Sequence, residues 1–195
     1  MTLLPLDITS STPDSISKQP SRERLLGGEI LLEMRSHSAW GGAVTAQMYL
    51  PLKQAQVWQQ LTNYPRWVNY FPDLTHSEVL HTENTLHRRY KYLYQAARKS
   101  FFTLSAQVEV YLQVEEVDQQ TIEFRLEKGS FSDFSAQLHL QAYSDGTLLT
   151  YTVAAILPIP VPSVLLQQMM AFGLPANMAQ MRKILCHKVK PAKIC

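Results

Sequence analysis

The segment TLSAQVEVYLQV, residues 103–114, alternates almost without error. Leu104, Ala106, Val108, Val110, Leu112 and Val114 share one parity; Thr103, Ser105, Gln107, Glu109, Tyr111 and Gln113 share the other. Successive side chains of a strand point to opposite faces, so this period of two predicts a half-buried strand with one apolar and one wet face. The pattern repeats downstream. Ile122, Phe124 and Leu126 follow the polar turn Asp118-Gln119-Gln120. Phe134, Ala136, Leu138 and Leu140, opposed by Ser135, Gln137, His139 and Gln141, follow Lys128-Gly129. After the turn signal Ser144-Asp145-Gly146, a last strand runs from Leu148 to Leu157. Upstream, Leu86, Tyr90, Tyr92 and Tyr94 share a parity with Arg88. Strands joined by short polar turns predict an antiparallel meander of five or six strands.

Two further strands precede it. After Gly27-Gly28, Ile30, Leu32 and Met34 alternate, and Val44, Ala46, Met48 and Leu50 alternate again beyond a loop containing His37 and Trp40. From Pro51 the period turns helical, with Ala55, Trp58 and Leu61 on one face. Asn63-Tyr64-Pro65 ends that helix, because a residue before proline leaves the α region. A second short helical segment spans Arg66 to Phe71 and stops at Pro72-Asp73. Past the sheet, Pro158, Pro160 and Pro162 break the strand pattern, and Ser163 to Phe172 reads as helix. Gly173-Leu174-Pro175 separates it from a second helical stretch with Met178, Met181, Leu185 and Val189 on one face, where Pro175 suits the first position. The expected layout is a flexible leader over residues 1–27, one α+β domain over 28–190 and a short tail over 191–195.

Composition narrows the function. Charged residues are 17% of the 195, against roughly 25% in typical soluble domains, and 16 glutamines supply polarity instead. A net charge of +2 gives no electrostatic case for nucleic-acid binding. Apolar runs fall short of a transmembrane helix, and the first residues lack a basic n-region and carry Asp7 and Asp14. Cys186 and Cys195 lie close together near the C-terminus without CxxC spacing, and are expected to be free thiols in a reducing cytosol. The expectation is therefore a soluble cytoplasmic protein.

An apolar sheet face must be covered, and the C-terminal helix is the large element left to cover it. The stretch PLKQAQVWQQLTNYPRWVNYFPDL, residues 51–74, resembles the opening of the START-like (SRPBCC) superfamily, which includes polyketide cyclase/dehydrase-like and coenzyme Q-binding START-domain proteins. Asn63 stands where that pattern commonly has aspartate. GLPANMAQMRKIL, residues 173–185, resembles the C-terminal helix of the group. The resemblance covers roughly residues 29 to 188 and implies a helix-grip fold: a curved antiparallel β-sheet wrapped around a long C-terminal α-helix, with two short helices after the first strands. It also implies a deep apolar cavity. Some members carry lipids, quinones or hormones, and a few cyclise or dehydrate polyketides.

Within that frame the tyrosine stripe Tyr90, Tyr92 and Tyr94, with Arg88, would orient a ligand's polar head if it faced inward, although tyrosine is also simply a good strand residue. Trp67, Tyr70 and Phe71 would lid the cavity entrance or plug the end of the sheet. Met169, Met170, Phe172 and Met178 suit a cavity that accepts imprecise shapes, or ordinary core. Gly173 and Pro175 would let the helix bend. Val108, Val110, Phe124, Phe134 and Leu138 complete the expected lining.

No catalytic signature stands out. His76, His81 and His87 lack metal-ligand spacing, and positions 76 and 81 of a regular strand face opposite ways. There is no G-x-S-x-G, no phosphate-cradling glycine loop and no carboxylate on a dry parity among Glu109, Glu123 and Glu127. Neither a metal nor a cofactor is implied. The basic tail of Arg182, Lys183, Lys188, Lys190 and Lys193 complements a helix dipole, or docks transiently to an anionic membrane. The leading expectation is a carrier or chaperone that sequesters a hydrophobic small molecule: a lipid, isoprenoid quinone or polyketide-like compound. A cyclase or dehydratase using the same cavity, with a Tyr–Arg pair polarising a carbonyl, is the first alternative. A protein-interaction module with a filled core is the second.

Overall fold

The computed structural model describes residues 21–38, 41–84, 89–101, 104–159 and 162–187. Strands β1 (Leu31–Ser38) and β2 (Gly41–Leu50) lead into helix α1 (Gln54–Leu61), a 3-10 turn (Tyr64–Arg66) and helix α2 (Trp67–Tyr70). Six strands follow: β3 (Leu74–Asn84), β4 (Arg89–Phe101), β5 (Leu104–Val117), β6 (Thr121–Gly129), β7 (Asp133–Tyr143) and β8 (Gly146–Ile156). Helix α3 (Ser163–His187) closes the chain of elements. The strands form one curved antiparallel sheet in the order β1-β2-β8-β7-β6-β5-β4-β3. The helix-grip architecture expected from the sequence is the observed one.

Register carries the apolar parity across the sheet. Val44, Ala46 and Met48 lie opposite Val153, Tyr151 and Leu149. Those pair with Ala136, Leu138 and Leu140, and Leu138 and Ala136 pair in turn with Ile122 and Phe124. Val114 and Leu112 continue the row to Lys91 and Leu93. This concave face meets α3, which packs on β2 and β1. A methyl group on Gly42 would press the α3 backbone at Gln167 to 3.2 Å, so glycine allows that close crossing.

Four local expectations change. Residues 21–26, expected to be irregular, are helical, and Leu25 is buried with Tyr49 and Leu148 on the convex side. In α1 the buried pair is Val57 and Leu61 at i, i+4; Ala55 is exposed and Trp58 half-buried. Helix α3 runs unbroken through Gly173-Leu174-Pro175, because packing outweighs the local cost of the lost proline N–H. Cys186 is disulfide-bonded rather than free, which removes the thiol argument for a reducing compartment; Cys195 lies outside the described residues. Among the described residues no helix is long and apolar enough to cross a membrane.

Candidate functional site

The concave face has two unlike ends. Where β2 passes into α1, it is filled. Leu50, Leu61, Ile122, Leu138, Leu140 and Leu149 are inaccessible, and Met181 and Leu185 of α3 close over them. Aromatic rings wedge in beside them. Trp67 lies 5.9 Å from Tyr64, 5.0 Å from Phe124 and 5.5 Å, stacked, from Phe71, all between ring centroids. The Trp67 indole N–H donates to the Leu61 carbonyl at 2.8 Å, and the Tyr70 hydroxyl donates to the Gln60 carbonyl at 3.2 Å. Burial raises the Tyr70 hydroxyl pKa, against an opposing pull from Arg66.

A polar clamp is built into this closed end. The Lys91 ammonium of β4 sits 2.6 Å from Oε1 of Glu116 on β5, and the Tyr64 hydroxyl donates to the same oxygen at 2.5 Å. The lysine and glutamate side chains are 17% and 8% exposed. Lys91 also lies over the Tyr64 ring, 4.9 Å from its centroid. Burial, then the adjacent Glu116 carboxylate, pushes the Tyr64 hydroxyl far above its ordinary range, so it stays a donor. One strand-pair away, Gln95 donates to Ser77 Oγ at 3.0 Å, and Ser77 donates to the Tyr64 carbonyl at 2.9 Å. These groups tie the 3-10 turn to β3, β4 and β5. None was singled out in the sequence, yet a signal exists: Glu116 carries the apolar parity of Val108 to Val114, and a charge on that parity must find a buried partner.

Toward the other end, where α3 begins, side chains shrink and stand apart. Ala97, Ala136 and Ala155 share the inner face with Val108, Leu126, Phe134 and Val153, and the last four stay half-exposed. Phe71 and Met170 flank the same space, also partly exposed. The side chains named here are all apolar; Lys99, opposite Ala106, has the same parity on β4. It is a partly exposed apolar stretch of the inner face, toward the end of the sheet where α3 begins.

The expected lining residues divide accordingly. Val108, Phe134, Met170 and Phe71 are partly buried against the core, and Val110 is almost buried. Trp67, Tyr70, Phe124, Leu138 and Met178 are packed core, so Trp67 and Tyr70 plug the sheet rather than lid an entrance. Tyr90, Tyr92 and Tyr94 face the convex side, opposite Glu115, Gln113 and Tyr111, because the buried parity of β4 is that of Leu93 and Gln95. Tyr92 stacks on His81 at 4.2 Å, and Tyr94 lies 5.5 Å from His76. The two histidines share a face because a bulge between Val79 and His81 shifts the register, correcting the opposite-face expectation. Met169 and Phe172 point to solvent. Arg88 and His87 lie outside the described residues. No group of three metal-ligating side chains occurs among the described residues.

Residues 50–182 match the family model described as polyketide cyclase/dehydrase and lipid transport. Among curated proteins none matches. Among solved structures, a START superfamily protein from Mycobacterium smegmatis superposes with a TM-score of 0.64 at 12% identity, covering 75% of this chain and 99% of its own. The Zhui aromatase/cyclase from Streptomyces sp. R1128 gives 0.57 at 12% identity, covering 80% and 93%. A STAR-related lipid transfer protein from Xanthomonas axonopodis gives 0.55 at 17% identity, covering 79% and 98%. At such identities these likenesses establish the fold.

Proposed function

Because the chain belongs to the polyketide cyclase/dehydrase and lipid transport family, we propose that it binds a hydrophobic small molecule in the open half of its concave groove, as a carrier or chaperone. The observation that carries this reading is the half-exposed apolar surface of Val108, Leu126, Phe134, Val153 and Met170, at the end of the sheet where packing stops. An acyl or prenyl chain laid there removes that surface from water, at about 25 cal/mol per Å² of apolar area. The small residues Ala97, Ala136 and Ala155 leave room for it. A lipid, an isoprenoid quinone and a polyketide-like compound all meet this demand.

The cyclase or dehydratase reading asks more of the groove, because a proton donor must reach the ligand. Its expected donors, the β4 tyrosines, face the other side of the sheet. The filled-core interaction module accounts for the closed end but not for the half-exposed inner face at the other.

Titration with a fluorescent fatty acid tests the proposal. Wild-type protein is expected to saturate, and Val153→Trp, which fills the groove, is expected to weaken binding at least about tenfold. Native mass spectrometry of the purified protein is expected to reveal a bound apolar compound. No probe binding and no co-purifying compound would overturn the reading.

A further inference from the structure

From Gly146 through Met181 the chain carries no Asp, Glu, Lys, Arg or His. That stretch includes most of α3, a helix with one face against the sheet and the other in solvent. On the solvent face, Val164, Leu165, Met169 and Phe172 are 63%, 50%, 40% and 84% exposed. Their spacing puts them within one arc of the helix, and the same arc continues to Lys183 and His187, both exposed. An exposed helix face is normally charged or polar; this one is greasy along its first turns and basic in its last.

The basic end is reinforced by a neighbour. Arg66, from the 3-10 turn, meets Lys183 and His187 across a surface cleft of about 250 Å³, whose other lining residues are Gln180 and Ile184. No carboxylate lines it. Apolar exposure also spreads sideways, since Leu32 and Met34 on the edge strand β1, next to α3, are 41% and 55% exposed.

We propose that the outer face of α3 is a peripheral membrane-docking surface, with Val164, Leu165, Met169 and Phe172 entering the headgroup–acyl boundary of a bilayer while Lys183, His187 and Arg66 meet anionic headgroups. Apolar residues at one end and cations at the other match the two attractions that hold an amphipathic helix in a membrane interface. A second copy of this chain would be met equally well by the apolar part, but that leaves the basic end without a counter-charge; an anionic lipid surface satisfies both. The groove opens beside the first half of α3, so docking on this face brings a bound apolar molecule close to the lipid. The inference goes beyond the proposed ligand binding and does not depend on it.

The test is co-sedimentation of the full chain with phosphatidylcholine vesicles, with and without a third of phosphatidylglycerol. Pelleting is expected with the anionic vesicles, weakening with neutral ones or added salt. Phe172→Asp should reduce it at least about tenfold, and Lys183→Glu should reduce it on anionic vesicles only. Both positions are exposed, so circular dichroism should remain as in the wild type. Fluorescent fatty-acid titration without vesicles should be unchanged in Phe172→Asp, which separates failure of docking from failure of the groove. No pelleting with anionic vesicles, or pelleting indifferent to Phe172→Asp, would overturn the proposal. So would a wild-type dimer that Phe172→Asp converts to monomer without any vesicle binding, since the face would then belong to a second copy.

Discussion

The closed and open ends of the concave face are made of the same strands and differ in what stands over them. At the closed end, α1, the 3-10 turn, α2 and the last turns of α3 converge, and Tyr64, Trp67 and Phe124 fill the volume between them. At the open end only the first half of α3 faces the sheet; Gly42 lets that helix cross close to β2, and beyond it alanines replace the bulky rings of the closed end. One sheet thus carries both a packed core and a partly exposed apolar surface. The difference lies in the bulk of the side chains and the number of helices above them.

Removing bulk from the closed end should have the largest effect. Trp67→Ala leaves a cavity beside Phe124 and an unmatched Leu61 carbonyl, and is expected to cost about 3–5 kcal/mol in denaturant unfolding while probe affinity per folded molecule stays unchanged. An equal loss of affinity would mean that the two ends are one cavity. The polar clamp gives a second test. Glu116→Ala leaves the Lys91 ammonium and the Tyr64 hydroxyl without their shared acceptor and should cost about 3 kcal/mol. Lys91→Met together with Glu116→Leu should recover much of that, because an apolar pair needs no compensation; failure to recover would assign the clamp a role beyond stability.

The smallest effect concerns the convex side. The Tyr49 hydroxyl donates to the Asp145 carboxylate, tying β2 to the turn between β7 and β8. Burial, then that carboxylate, raises Tyr49 from 10 to about 12, while Asp145 is held below its usual range. A raised tyrosine pKa stabilises the fold below the ordinary value and loses that contribution as pH rises through the folded one. Tyr49→Phe should therefore cost about 1 kcal/mol at neutral pH, and its stability gap to wild type should close between pH 10 and 12. The depressed Asp145 acts in acid: its contribution is present above the ordinary aspartate value and fades as pH falls below it. A gap constant from pH 7 to 12 would show that the bond contributes nothing. Ligand binding should not respond, since this contact lies on the opposite face from the groove.

How far the site was legible follows from the same division. The alternation of Leu104 to Val114 and of Phe134 to Leu140 separated an apolar from a polar face, so Val108 and Phe134 were assigned to the apolar face by periodicity, while a cavity beside them was implied only by the family resemblance. Tyr90, Tyr92 and Tyr94 share a parity just as plainly, but parity does not say which side is in. Leu93, between them, is the buried residue, and Lys91 is drawn inward by Glu116 rather than expelled by its charge. His76 and His81 illustrate the other limit, because a single bulge reverses the parity on which their separation was judged.

Local pattern by itself settled the strands other than β3, the turns between most of them, the short helices after β2 and the helical character of the chain after Pro162. These depend on backbone preference and on the period at which apolar residues recur, which neighbours along the chain determine. Which strand face turns inward, how tightly each end packs, whether α3 continues through Pro175 and what its outer surface shows to solvent were decided only in three dimensions. Each depends on partners distant along the chain, and the free energy of their contact exceeds the local preference it overrides.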